Sequence, residues 1–198
     1  MVAMMTEHST HYFRAFVGVT RARAAVSTAI ALITWPRRDM RLSEVPAHTI
    51  QGAEQSGGEL DAWEATDRKD WHGPVPVANL IPRRGWAILY LLPADYNVPE
   101  FTQRARAKVG VWEYSRHQLA AMWRRIRLAI TFSNPEHRVV CSEATSRIVW
   151  PGGDLLRWAK KRKHDFVAPV HVRLYAEALG LPERVYRDGK LVKDEWPG

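Results

Sequence analysis

The stretch His137-Arg-Val-Val-Cys-Ser-Glu-Ala-Thr-Ser-Arg-Ile-Val-Trp150 holds the one cysteine of the chain, at position 141. Val139 and Val140 are apolar and β-branched and follow the turn-forming Ser133-Asn134-Pro135-Glu136, whereas Ala144, Ile148 and Val149 fall on one helical face. This change of pattern puts Cys141 at a helix N-terminus. Unpaired N–H groups and the positive end of the helix dipole meet there, and both favour the thiolate, the nucleophilic form of the side chain. A lone cysteine is also a common small core residue. The rest of the chain decides between packing and chemistry.

Working outward, 198 residues that are 46% apolar and include nine tryptophans supply one well-buried core, expected over residues 12–198 behind a polar, disordered tail at 1–11. One cysteine excludes an internal disulfide and any multi-thiolate metal site. No phosphate-binding glycine loop or metal-ligand set is read, so neither cofactor nor metal is expected. The net charge of +8 suits anionic surroundings such as nucleic acid, anionic lipid or wall polymers without choosing among them. Ala24 to Ile33, bounded by Arg23 and Pro36-Arg37-Arg38, is far short of the roughly 20 residues a membrane span needs. Met1 to His11 lacks a basic segment followed by an apolar one, so no signal peptide is expected, and export would depend on another system.

Along the chain, Phe16, Val19, Ala22, Val26, Ile30 and Ile33 recur at helical spacing and predict one helix over most of Tyr12 to Trp35. Residues 45–53 read as extended, Gly57-Gly58 as a turn, and Leu60 to Ala65 as a strand with Leu60, Ala62 and Glu64 on one face. That hairpin brings His48 near Glu64. Val75 to Ile81 and Trp86 to Leu92 predict two more strands joined by a tight turn at Pro82 to Gly85, completing an antiparallel meander. Phe101 to Lys108 and Ser115 to Ile130 predict helices, with Gly110 at a helix end between them. Asp154 caps a helix through Lys161, whose basic end Lys160 to Lys163 reads as solvated; Pro169 opens a helix closed by Gly180, and a hairpin turns at Asp188-Gly189. The fold class is α+β.

Ala47-His48-Thr49-Ile50, Trp63-Glu64-Ala65, Gly110 to Tyr114 before a long helix, and Val140-Cys141-Ser142-Glu143 together resemble the permuted papain-like hydrolases of the NlpC superfamily, especially the YiiX-like branch. In that branch the histidine strand comes first and the Cys-Ser-Glu helix late, as here. The resemblance covers roughly residues 12–190 and implies an antiparallel sheet packed against helices, with the nucleophile at a helix N-terminus. It implies Cys141 as nucleophile, His48 as base and Glu64 as the group that orients the imidazole, with Tyr114 and Ser142 as weaker oxyanion or substrate-binding candidates. Tyr114 is followed by Ser115 where the family often has aspartate, and Pro46 stands close to the histidine strand. His137 competes for the role of base, and Asp61 or Asp67 for that of Glu64.

The resulting expectation is a cysteine hydrolase working through a thioester, cutting an amide, with a peptidoglycan peptide the foremost substrate. An acyl ester or thioester hydrolase or acyltransferase on the same fold is the alternative. A nucleic-acid module based on Arg124-Arg125-Ile126-Arg127 and the helix at Cys141 is a third reading, but the connection of about ten residues exceeds the turn of a helix-turn-helix.

Overall fold

A computed structural model describes residues 11–21, 25–34, 40–66, 69–114, 138–162 and 167–197. Its strands are β1 (Tyr12–Arg21), β2 (His48–Gln55), β3 (Leu60–Ala65), β4 (Trp71–Pro76), β5 (Trp86–Leu91), β6 (Glu113–Tyr114), β7 (Arg138–Val139), β8 (Glu183–Arg187) and β9 (Lys190–Asp194). Its helices are α1 (Ala25–Thr34), α2 (Val77–Leu80), α3 (Val98–Ala107), α4 (Cys141–Val149), α5 (Asp154–Lys161) and α6 (Pro169–Ala178). Seven strands form one antiparallel sheet in the order β4-β3-β2-β1-β5-β8-β9, while β6 and β7 form a separate parallel pair. The class is α+β, as expected.

The segment read as one helix from Tyr12 is instead a ten-residue strand followed, after Arg21, by the separate helix α1. β1 lies in the middle of the sheet, paired with β2 and β5, and both its faces are covered. Val17 and Val19 enter one core and Phe16 the other. A strand buried on both sides need not alternate apolar with polar, so its run imitates helical spacing. Gly18 belongs to this arrangement: an added Cβ would stand 2.6 Å from Leu89 and 2.8 Å from Ile50.

The meander also breaks where it was expected to continue. The strand assigned to Val75–Ile81 ends at Pro76, and residues 77–83 form two helical turns whose Val77, Leu80 and Ile81 cover the second face of the sheet. β5 then pairs with β1 rather than with β4. The hairpin of β2 and β3, α3, α6 with Gly180 at φ +66°, and the β8–β9 hairpin fall close to their expected places. Asp188 and Gly189 both take positive φ, as that two-residue turn requires. Asp154 does not cap α5; Gly153 does, at φ +77°, and Asp154 forms an ion pair with Arg157 in the first turn. The helix expected over Ser115 to Ile130, like the tail at 1–10, lies outside the described residues.

One face of the sheet carries the larger core, in which Trp63, Tyr90, Phe101, Ile148 and Leu155 pack between strands and α3, α4 and α5. α4 rests mainly on β2. Its first residue therefore meets the end of the sheet where β2 begins. No helix among the described residues is long and apolar enough to cross a membrane.

Candidate active site

His48 is the first residue of β2, directly opposite Thr20. Pro46 lies two residues ahead of the strand and breaks no pairing; the Ala47 N–H still donates to Thr20 O at 3.0 Å. The turn at 56–58 folds β3 back along β2, and Glu64 reaches His48 with 2.7 Å between Oε2 and Nε2. The Glu64 side chain is buried, at 5% exposure, and that of His48 is 13% exposed. The same carboxylate oxygen accepts from Arg84 Nη2 at 2.9 Å, and His72 Nε2 stands 3.6 Å from Oε1. His72 is oriented by its Nδ1, 2.9 Å from Asp70 O.

Cys141 is the first residue of α4, behind an extended Val140, and lies buried at 6% exposure. His48 acts on it both as a charge and as a hydrogen-bonding side chain, and with Nε2 engaged by Glu64 the nitrogen left for the sulfur is Nδ1. Burial alone raises the thiol pKa, but the charge and hydrogen bond of His48, helped by Thr49, carry it below the ordinary value. Burial likewise depresses the imidazole; Cys141 first and Glu64 second reverse this and lift His48 to about 9. Glu64, which burial would raise, is brought down to about 2 by His48, Arg84 and His72. The three shifts run in the direction that favours a thiolate beside an imidazolium, with a carboxylate behind it.

Beneath the sulfur, Thr145 Oγ1 lies 2.8 Å from Thr49 Oγ1, 2.5 Å from Gln51 Oε1 and 3.0 Å from Cys141 O. Gln51 Nε2 in turn donates to Trp63 O at 2.9 Å. All three side chains are buried, so this network fixes the first turn of α4 against β2 and sets where the sulfur stands.

Cys141, His48 and Glu64 thus converge from three elements. Tyr114 pairs with Val139 across the short parallel ladder, two residues ahead of the cysteine, and its N–H donates to Asp70 Oδ1 at 2.8 Å. Ser142 is turned inward: at 1% exposure its hydroxyl donates to Val167 O at 2.7 Å, which occupies it within the fold. Asp61 is engaged elsewhere, by Tyr12 and Gln55. His137, Asp67 and Arg124 to Arg127 fall outside the described residues. Sequence reasoning missed Arg84, His72 and the Thr49–Thr145–Gln51 network. The signal for His72 was the two-residue period of β4 opposite β3, where it pairs with Glu64; Arg84 sat in a turn that pattern alone leaves unplaced.

Among the described residues, no three His, Cys, Asp or Glu side chains gather where they could hold a metal ion. Comparison with known protein families, curated proteins and solved structures finds no match for this chain.

Proposed function

We propose that this chain is a cysteine hydrolase that cuts an amide bond, built as a permuted papain-like fold. The observation that carries the reading is the continuous line Glu64–His48–Cys141 ending at the first residue of a helix. The order of parts supports it as well: the histidine and carboxylate strands precede the cysteine helix, as in the permuted branch that the sequence resembles.

In the proposed reaction the thiolate of Cys141 attacks the substrate carbonyl carbon, and the carbonyl electrons move onto oxygen. The Cys141 N–H, at the start of α4, is the natural donor to that oxyanion. As the tetrahedral species collapses, the C–N bond breaks and the amine leaves with the proton from His48 Nδ1. A thioester and a neutral imidazole remain. That imidazole then takes a proton from water, hydroxide adds to the thioester, and the C–S bond breaks to release a carboxylic acid and restore the thiolate. Glu64, accepting from Nε2–H, holds the tautomer and favours the imidazolium.

An amide is preferred to a thioester because its amine cannot leave without a proton, and His48, favoured as an imidazolium by Cys141 and Glu64, carries one. A stem peptide of anionic peptidoglycan suits the net charge of +8. Iodoacetamide labelling across pH tests the mechanism. Alkylation of Cys141 should persist well below the ordinary cysteine pKa of about 8.5 and lose that low-pH limb in His48→Ala. Identical profiles would remove His48 from the mechanism. Purified peptidoglycan digested by the parent but not by Cys141→Ser identifies the substrate, and identical fragments from both would discard it.

A further inference from the structure

At the sheet end where β2 begins, a second feature occupies the neighbouring strands. Arg21 stands directly opposite Trp86, and Trp86 directly opposite Arg187, so one rung across β1, β5 and β8 presents an indole between two guanidinium groups. Two rungs further in, on the same face, Ile88 stands opposite Val185. Together they line an open cavity of about 650 Å³, within the range of small-molecule sites. Arg173 of α6 and Arg41 close it from the side, so four arginines line it against two acids, Glu44 and Asp188.

Among the described residues, carboxylates answer the arginines of this cavity only in part. Among the described residues the Arg21 side chain donates to carbonyls, those of Leu42 and Val45, and burial lowers its pKa. Arg173 spends its Nε on Glu177 at 2.7 Å and an Nη on Glu44 O at 2.8 Å. The carboxylate of Glu44 accepts from the Arg41 backbone N–H, and Arg41 and Arg187, both exposed, form no ion pair with a carboxylate among the described residues. Trp86 is held as a wall by its Nε1, which donates to Ser43 O at 3.0 Å. The arrangement is an apolar floor and aromatic side under a rim of planar donors, the geometry that receives a carboxylate carried on an apolar body.

We propose that this cavity binds a carboxylate attached to an apolar chain or side chain.

Calorimetric titration tests the binding. Octanoate and N-acetyl-leucine are the two carboxylate probes, octanamide and N-acetyl-leucinamide their uncharged counterparts, and inorganic phosphate the bare anion. At least one carboxylate should bind about tenfold or more tightly than its amide. The double variant Arg41→Gln, Arg187→Gln, altered only at exposed positions, should weaken it by about tenfold or more. Preference for octanoate marks an acyl chain as occupant, and preference for N-acetyl-leucine a peptide C-terminus; both support the site. Amides that bind as well as the acids, phosphate that binds as tightly, binding within twofold in the double variant, or no binding would each overturn it. The readout does not involve the thiol, so its failure is distinct from failure of the alkylation test.

Discussion

Replacing Glu64 by Gln keeps the shape of the side chain and removes its charge, which makes it the sharpest perturbation of the site. The fall of the Glu64 pKa from 4.5 to about 2 corresponds to about 3 kcal/mol of favourable interaction with the charged form, shared among His48, Arg84 and His72. The variant should lose roughly that much at pH 7, with Arg84 left facing a neutral amide. For a chain of this size, the loss is a fall in Tm of about 6–12 °C. The sign follows from the direction of the shift. A carboxylate whose folded pKa is depressed stabilises the fold fully above 4.5 and loses that contribution as pH falls through about 2. Thermal melts of parent and variant should therefore stand apart at pH 7 and draw together between pH 4.5 and 2. Turnover should fall by about 10²- to 10⁴-fold, since the imidazolium loses its carboxylate, while alkylation by iodoacetamide persists with its low-pH limb moved upward. A Tm gap that stays constant with pH, or turnover within a few-fold of the parent, would refute this account of Glu64.

Three further perturbations probe other parts of the structure. Arg84→Ala should let Glu64 leave the plane in which it meets His48, lowering kcat by about tenfold or more with KM little changed, and Arg84→Lys should restore part of the loss; equal kcat in Ala, Lys and parent would show that the guanidinium positions nothing. Thr145→Val removes the hydroxyl between Gln51 and Cys141 O and should cost about 1–3 kcal/mol in urea unfolding while raising the pH at which Cys141 alkylates; unchanged stability and unchanged alkylation would dismiss the network. Gly52→Ala would set a Cβ 2.0 Å from Asp61 O, a backbone atom that cannot swing aside, and should destabilise by about 3 kcal/mol or more; a melting curve matching the parent would contradict the close approach of β2 to β3.

What sequence made visible, and what it hid, divides along the range of the interactions. The turn at Gly57-Gly58, the φ-positive pair Asp188-Gly189, Pro169 at a helix start and the start of α4 at Cys141 are local, and each was legible from a few neighbouring residues. The approach of His48 to Glu64 was legible for the same reason, since one short hairpin suffices to bring them together. β1 was not legible. Its residues look helical because the strand is covered on both faces, and that covering exists only once β2 and β5 pair with it. The same long-range event determines the rest of the site. Pairing β5 with β1 delivers Arg84, in the turn two residues ahead of β5, to the carboxylate of Glu64 on β3. It also sets Trp86 between Arg21 and Arg187. A meander carried on through β4 and β5 would have kept Trp86 away from Arg21. The central strand therefore connects the two features: it orders the residues that hold His48 on one side and builds the arginine-lined cavity on the other.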